Sequence, residues 1–117
     1  MSPEARALAQ VLLEHHRQAC RPPSGAPPSV ASTLIPYGVL CDRAGLSYVT
    51  HHVGPFLREI AQWCYDNGWP PINSLAVNYA THMPGEGYKK APGCSLRHWP
   101  EEVAACIEFL GYPDVVN

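Results

Sequence analysis

Long hydrophobic runs and a surplus of positive charge are both missing from this chain of 117 residues. No apolar stretch approaches the roughly 18 residues of a membrane-spanning helix, so we expect no membrane partner. The first residues, Ser2 to Arg6, place no basic region ahead of an apolar one, which argues against a secretory signal. The net charge is -2, from 8 Lys and Arg against 10 Asp and Glu. Tight binding of nucleic acid usually needs a cluster of cations, so any basic patch here must be local.

A paired cysteine framework is also lacking. The five cysteines are an odd number, widely spaced, and mostly on apolar faces, which is typical of a reduced, cytoplasmic protein. Proline, in contrast, is abundant: 13 residues shorten the regular elements and punctuate the fold. We expect one domain over 1–117, with a proline-rich loop over 21–31.

Apolar spacing predicts an N-terminal helix from Pro3 to about Cys20, capped by Ser2. A second helix over 37–44 turns Val39, Leu40 and Ala44 inward. The other predicted helices are a broken third helix, with pieces 48–53 and 55–66, and a C-terminal helix over 100–110.

The breaks between these helices have local causes. Gly45 ends the second helix, and Ser47 is predicted to cap the third. Pro55 lacks a backbone donor and crowds the preceding turn, so it splits the third helix in two. In the last helix we expect Val103, Cys106, Ile107 and Leu110 to form the buried face.

After the helices, alternating side chains predict a strand over 72–79, in which Leu75, Val77 and Tyr79 share one face. A turn over 83–87 and a return strand from Tyr88 would complete a β-hairpin. The predicted fold class is α+β: a winged helix-turn-helix with N-terminal and C-terminal helices and a β-hairpin wing.

The middle of the chain, about half of it, resembles the DNA-binding domain of O6-alkylguanine-DNA alkyltransferases and alkyltransferase-like proteins. The similarity lies in Tyr37-Gly38-Val39-Leu40-Cys41, then Gly45 and His51-His52-Val53-Gly54, and finally Asn73-Ser74-Leu75-Ala76-Val77 followed by Gly85-Glu86-Gly87-Tyr88. This resemblance implies the winged-helix fold and a surface that grips DNA.

The chemistry of that family requires residues that this chain replaces. Ser74 stands near the position of the reactive cysteine, and Leu75 near that of its histidine. A serine without a base is a poor nucleophile, so neither alkyl transfer nor base extrusion is expected. The less favoured alternative is that the match to the family's motif is displaced and that Cys64 or Cys94 is the nucleophile.

For DNA contact the candidates are polar residues of the predicted recognition helix and the cations on either side of it: Arg43, Tyr48, Thr50, His51, His52, Lys89 and Lys90. Thr and His can reach base edges, while Lys and Arg bind phosphates. That these are merely solvent-exposed polar side chains stays equally open, because the cations are few.

Metal binding has little support in the sequence. Cys94 and His98 are the one pair with zinc-like spacing, and no second pair accompanies them. The adjacent histidines His15 and His16, like His51 and His52, are expected at the surface or in an interface. We therefore expect no metal and no cofactor.

The sequence as a whole predicts a non-enzymatic binding module with no catalytic residue. The leading function is regulatory binding of double-stranded DNA, with helix 48–53 in the major groove and Lys89 and Lys90 on phosphates. The alternative is a phage or mobile-element inhibitor of a host defence complex, similar to an anti-CRISPR protein, that contacts a host nucleoprotein complex. Net acidity favours this alternative, and the oligomeric state stays open.

Overall fold

A computed structural model describes residues 1–22 and 24–116 of the chain. Five α-helices lie in this part: α1 (Pro3–Cys20), α2 (Val30–Thr33), α3 (Tyr37–Arg43), α4 (Gly54–Asp66) and α5 (Trp99–Glu108). Two strands, β1 (Ile35–Pro36) and β2 (Ala76–Val77), pair in parallel. Four 3-10 helices connect them: Ser47–His52, Ile72–Leu75, Glu86–Lys90 and Leu96–His98. None of the helices in residues 1–22 and 24–116 has the length and apolarity needed to cross a bilayer.

The N-terminal helix forms as predicted. The Ser2 hydroxyl accepts a hydrogen bond from the Ala5 amide at 3.2 Å, and this cap satisfies one free backbone donor. Glu59 of α4 holds the same residue, accepting from its amide at 2.7 Å and its hydroxyl at 2.8 Å. The start of α1 is therefore fixed against α4.

The core lies between α1, α4 and α5. Leu8 and Leu12 of α1 are fully buried, as are Ile60 of α4 and Cys106 of α5. Trp63, Trp69 and Trp99 are partly buried and pack against the edge of this core.

His16 is a correction to the predicted pattern. It is 1% exposed, and its Nε2 lies 2.7 Å from the Cys106 carbonyl oxygen, although a position at the surface or in an interface was expected. Its neighbour His15 is half-buried, with Nε2 2.8 Å from the Thr33 carbonyl oxygen. The helix therefore turns both rings toward partners, because residues around 33 and 106 approach it from two sides.

The second and third helices are confirmed, with three corrections. Val39 is 40% exposed, and Cys41 takes the inward position. The first piece of the third helix is a 3-10 helix, Ser47–His52, and not an α-helix over 48–53. Ser47 does not cap it, since its hydroxyl donates to the Asp42 carboxylate. Gly45 ends α3 with a φ of 73°, which the missing side chain makes favourable.

The predicted strand over 72–79 is wrong for most of its length. Residues 72–75 form a 3-10 helix, and every residue from 72 to 77 is buried, so the two faces do not divide into core and solvent. Only Ala76 and Val77 form a strand, and they pair in parallel with Ile35 and Pro36. Contacts with α1, α4 and α5 surround the segment on several sides and remove the alternation.

The β-hairpin wing is not found in the described residues. Residues 86–90 form a 3-10 helix where the return strand was expected. Between these elements, residues 78–83 form a closed turn. The Asn78 amide donates to the Met83 carbonyl at 2.8 Å, and the Asn78 carboxamide oxygen accepts from the Ala80 amide at 2.8 Å. The Tyr37 hydroxyl then accepts from the Gly85 amide at 2.8 Å, which ties the end of this turn to α3.

The proline-rich loop and the last helix differ from the prediction at their ends. The loop was expected over 21–31, but α2 begins at Val30; Pro23 lies outside the described residues. The C-terminal helix spans Trp99–Glu108, and Val103 and Cys106 are buried as expected. Leu110, expected in the buried face, lies beyond the helix and is 70% exposed.

Candidate functional site

Two exposed segments flank the start of α4, and one of them packs against it. One is the Ser47–His52 helix, which runs into α4 through Val53, and the other is the Glu86–Lys90 helix. The Glu86–Lys90 helix contacts the first residue of α4: a Cβ placed on Gly87 would lie 3.9 Å from the Gly54 Cα. We call this contact, with the Arg58 side chain beside it, the glycine junction.

Arg58 projects from the first turns of α4 back over the glycine junction. Its Nη1 lies 3.5 Å from the position of a Cβ on Gly87 and 3.8 Å from that of a Cβ on Gly54. The residue is half-buried. Within residues 1–22 and 24–116, no carboxylate pairs with it and no acceptor takes its hydrogen bonds. A guanidinium that is half removed from water and unpaired is suited to bind an anion, such as a phosphate.

The predicted contact residues His51, His52, Lys89 and Lys90 lie close in sequence to the glycine junction. All four are exposed. His52 precedes Gly54 by two residues, and Lys89 follows Gly87 by two. The histidine pair and the lysine pair therefore both lie next to the glycine junction in the sequence. Lys89 already pairs with Glu86 at 2.9 Å, whereas Lys90 forms no ion pair with a described residue.

Tyr48 and Thr50 occupy different surroundings on the Ser47–His52 helix. Tyr48 is 74% exposed and available for contact. Thr50 is half-buried: its hydroxyl donates to the Ser47 carbonyl at 2.8 Å, and its methyl group faces Gly38 of α3. Thr50 therefore joins the helix to α3, and its predicted role as a contact to bases is not supported by this position.

Arg43 is exposed but belongs to another surface. It lines an open cleft of about 320 Å³ together with Glu14, His15 and Gln18 of α1. The structure does not bring Arg43 together with Lys89 and Lys90 at the glycine junction. Burial lowers the pKa of His15 in this cleft, and the nearby Arg43 charge acts in the same direction.

The cysteine thiols are held in their neutral form. Burial raises the pKa of Cys64 to about 12, and that of Cys94 and Cys106 to about 11. The pKa values of Cys20 and Cys41 are raised as well, again chiefly by burial. Because the thiolate is the nucleophilic form, none of the five is activated for attack near neutral pH.

Ser74 also lacks the surroundings of a nucleophile. It is fully buried, and its hydroxyl donates to the Pro71 carbonyl at 2.7 Å and lies 3.2 Å from the Cys106 sulfur. Leu75 beside it is fully buried in the core. The position that the alkyltransferase resemblance assigns to the reactive residue is therefore structural.

Metal ligands do not gather in the described part of the chain: no three His, Cys, Asp or Glu side chains lie together there. Cys94 is half-buried and lies near Asn73 and the Pro92 carbonyl, while His98 is exposed. Cys94 and His98 have the sequence spacing of a zinc-binding pair, but no further ligands gather around them in the described residues.

Arg58 is the residue at this site that sequence reasoning missed. On a helical wheel it is one of several polar residues of α4, and its contact with Gly87 joins segments distant in the chain. One available signal was the pair of glycines, Gly54 and Gly87, which allow a large side chain to lie across them.

Comparison of the chain with known protein families, with curated proteins and with solved structures finds no match. The resemblance to alkyltransferases therefore stays a prediction from the sequence.

Proposed function

We propose that this chain is a non-enzymatic binding module, derived from a helix-turn-helix, that binds double-stranded DNA across the glycine junction. In this proposal α3 and the Ser47–His52 helix with α4 are the helix-turn-helix pair. The turn of residues 78–85 and the Glu86–Lys90 helix take the place of a β-hairpin wing.

The observation that carries the proposal is the unpaired Arg58 guanidinium between two exposed segments. The residue is half-buried, and no described carboxylate pairs with its guanidinium. A DNA phosphate would supply the missing acceptor, with Lys90 as a second contact to the backbone. His51, His52 and Tyr48 would then face the groove from the neighbouring helix.

The non-enzymatic part of the proposal has separate support. All five thiols have raised pKa values. Ser74, which stands where the alkyltransferases have their reactive cysteine, is buried, and its hydroxyl donates to the Pro71 carbonyl. These features fit a surface that holds a ligand without attacking it.

Fluorescence anisotropy with a labelled random duplex at low salt tests the proposal. Replacing His51, His52, Lys89 and Lys90 together by Ala should abolish binding. Arg58→Gln should weaken binding about tenfold, because it removes one charge-assisted contact. The matched control is Arg21→Gln, which removes the same charge from the exposed end of α1. Equal affinity for all four proteins would contradict the proposal.

A second candidate is the inhibitor that docks on a host nucleoprotein complex. The observation that favours it is the 78–83 turn, which contains no Asp, Glu, Lys or Arg and presents Tyr79 at 78% exposure. Exposed, rigid tyrosines are frequent anchors in protein interfaces. Under this candidate the chain leaves duplex DNA unbound at low salt and forms a stable complex with a large protein, which Tyr79→Ser disrupts.

A further inference from the structure

The Glu86–Lys90 segment is a 3-10 helix, and its geometry sorts the side chains onto three faces. With three residues per turn, positions i and i+3 lie one above the other, about 6 Å apart along the axis. Tyr88 forms the inner face, because it is buried and its hydroxyl donates to the Glu102 carboxylate of α5. The remaining residues pair on the other two faces: Glu86 with Lys89, and Gly87 with Lys90.

The face of Gly87 and Lys90 belongs to the glycine junction. The Arg58 Nη1 lies 3.5 Å from the position of a Cβ on Gly87, so this is the face that meets the guanidinium. Lys90 follows one turn later on the same face, is exposed, and forms no ion pair with a described residue. Two cations without a described carboxylate partner, Arg58 and Lys90, therefore lie on one side of this helix.

The third face carries a carboxylate. Glu86 Oε2 lies 2.9 Å from Lys89 Nζ, so the two charges offset each other locally. The hydrogen bond and the charge of Lys89 lower the pKa of Glu86, and the charge of Lys90 acts in the same direction, so this carboxyl is ionised near neutral pH. Of the three cations at this surface, one is thus already paired within its own helix.

A carboxylate at this place opposes the binding of a polyanion in two ways. It holds the Lys89 ammonium, which a phosphate can bind only by displacing the carboxylate, and it repels the phosphate charge itself. An exposed ion pair is weak, so a phosphate can compete with it, but part of the affinity is lost in that competition. The acid at position 86 is exposed and does not fill the core.

We propose that the Glu86–Lys89 pair is an autoinhibitory contact, in which Glu86 limits the affinity of the glycine junction for the DNA backbone. This role rests on the proposed binding of DNA. In the unaltered protein Arg58 and Lys90 neutralise phosphates, whereas Lys89 and Glu86 together contribute no net charge. With two phosphate contacts instead of three, sequence-independent binding weakens at physiological salt, and stable binding depends more on contacts to bases.

Fluorescence anisotropy with a labelled random duplex tests this role. Glu86→Gln keeps the length of the side chain and removes its charge, and at low salt it should bind at least about fivefold more tightly than the unaltered protein. The slope of log Kobs against log[salt] should steepen by about 0.9, because Lys89 then neutralises one more phosphate.

Glu108→Gln is the matched control. It removes the same charge from the exposed end of α5, where Glu108 forms no ion pair with a described residue. Its affinity should differ from that of the unaltered protein by less than about twofold, because salt screens a distant exposed charge.

Lys89→Gln locates the effect in a double-mutant cycle. In the unaltered background this change should alter the affinity by less than about twofold, because the ammonium is already paired. In the Glu86→Gln background it should remove the whole gain in affinity. An equal loss in both backgrounds overturns the autoinhibitory role.

Two outcomes separate failure of this role from failure of DNA binding. If the unaltered protein binds duplex and Arg58→Gln weakens it, but Glu86→Gln matches Glu108→Gln in affinity and slope, only the role of Glu86 is overturned. If none of the proteins binds duplex, Glu86→Gln included, both proposals are overturned.

The ion pair is also tested without DNA. The pKa of Glu86, followed through the ¹³C shift of its carboxyl carbon, should rise in Lys89→Gln, because the ammonium that favours the charged form is gone. An unchanged pKa would mean that the two side chains do not pair in solution, which overturns the role of Glu86 whether or not the protein binds DNA.

Discussion

The hydrogen bond from the Gly85 amide to the Tyr37 hydroxyl joins the segment after the 78–83 turn to α3. We expect it to contribute measurably to the free energy of unfolding. It spans 2.8 Å and replaces the strand pairing that a β-hairpin would have supplied. Tyr37→Phe removes the acceptor and leaves the ring in place. The Gly85 amide then has no partner in the folded state.

The size of the effect follows from burial. An unsatisfied buried donor costs about 1–3 kcal/mol, and because Gly85 is half-buried, water can recover part of the loss. We therefore expect the free energy of unfolding to fall by about 1 kcal/mol. For a domain of this size that corresponds to a decrease in Tm of roughly 3–6 °C.

Urea unfolding followed by circular dichroism measures this change. The midpoint should fall while the slope m stays the same, since the surface exposed on unfolding is unaltered. Tyr48→Phe is the matched control, because Tyr48 is 74% exposed and the loss of its hydroxyl should change the free energy of unfolding by less than ~0.5 kcal/mol. If Tyr37→Phe behaves like Tyr48→Phe, the turn is not held by this bond and our description of its attachment is wrong.

Three further predictions concern other parts of the fold. Burial lowers the pKa of His16, so the stability that its neutral form contributes is complete above the unfolded pKa of about 6.5 and is lost as pH falls through the folded pKa. Replacing this side chain in His16→Gln should therefore make the free energy of unfolding less dependent on pH on the acid side. The same replacement at an exposed position, His51→Gln, should leave that dependence unchanged. Asn78→Ala removes the acceptor of the Ala80 amide at 2.8 Å and should cost about 1 kcal/mol in thermal unfolding; no change would show that the turn closes without it. Burial raises the pKa of Cys94 to about 11, so less of it is thiolate at pH 7, and alkylation by iodoacetamide should be at least about tenfold slower than that of free cysteine; an equal rate would contradict a thiol held in its neutral form.

The helices that carry a strong local signal are those that the sequence predicts well. Ser2, Pro3 and the spacing of Leu8 and Leu12 define the start and the buried face of α1 within one stretch of chain. The break before α4 is similarly local, because Pro55 alone suffices to interrupt the preceding turn.

The segment from 72 to 77 was predicted wrongly, because its burial is set by contacts with distant parts of the chain. Its alternating polar and apolar residues match a half-exposed strand, yet Asn73 and Ser74 are as buried as Leu75. Their burial depends on α5 and on partners such as Cys106, which lies far away in the chain. Tertiary contacts therefore override the period-two pattern.

The candidate site is predicted only in part for the same reason. His51, His52, Lys89 and Lys90 stand out as exposed polar residues in short segments, and in the structure both segments adjoin the start of α4. Arg58 does not stand out, because its position over Gly87 arises only when α4 meets the Glu86–Lys90 helix.

The salt dependence of duplex binding tests the central claim most directly. For B-DNA, log Kobs falls with log[salt] with a slope of about -0.9 for each phosphate neutralised. Arg58 and Lys90, with Lys89 if it leaves Glu86, give an expected slope between roughly -1.8 and -2.7. Arg58→Gln should reduce the steepness by about 0.9, whereas Arg21→Gln should leave it unchanged. A slope that is the same in Arg58→Gln as in the unaltered protein would contradict binding of DNA at the glycine junction.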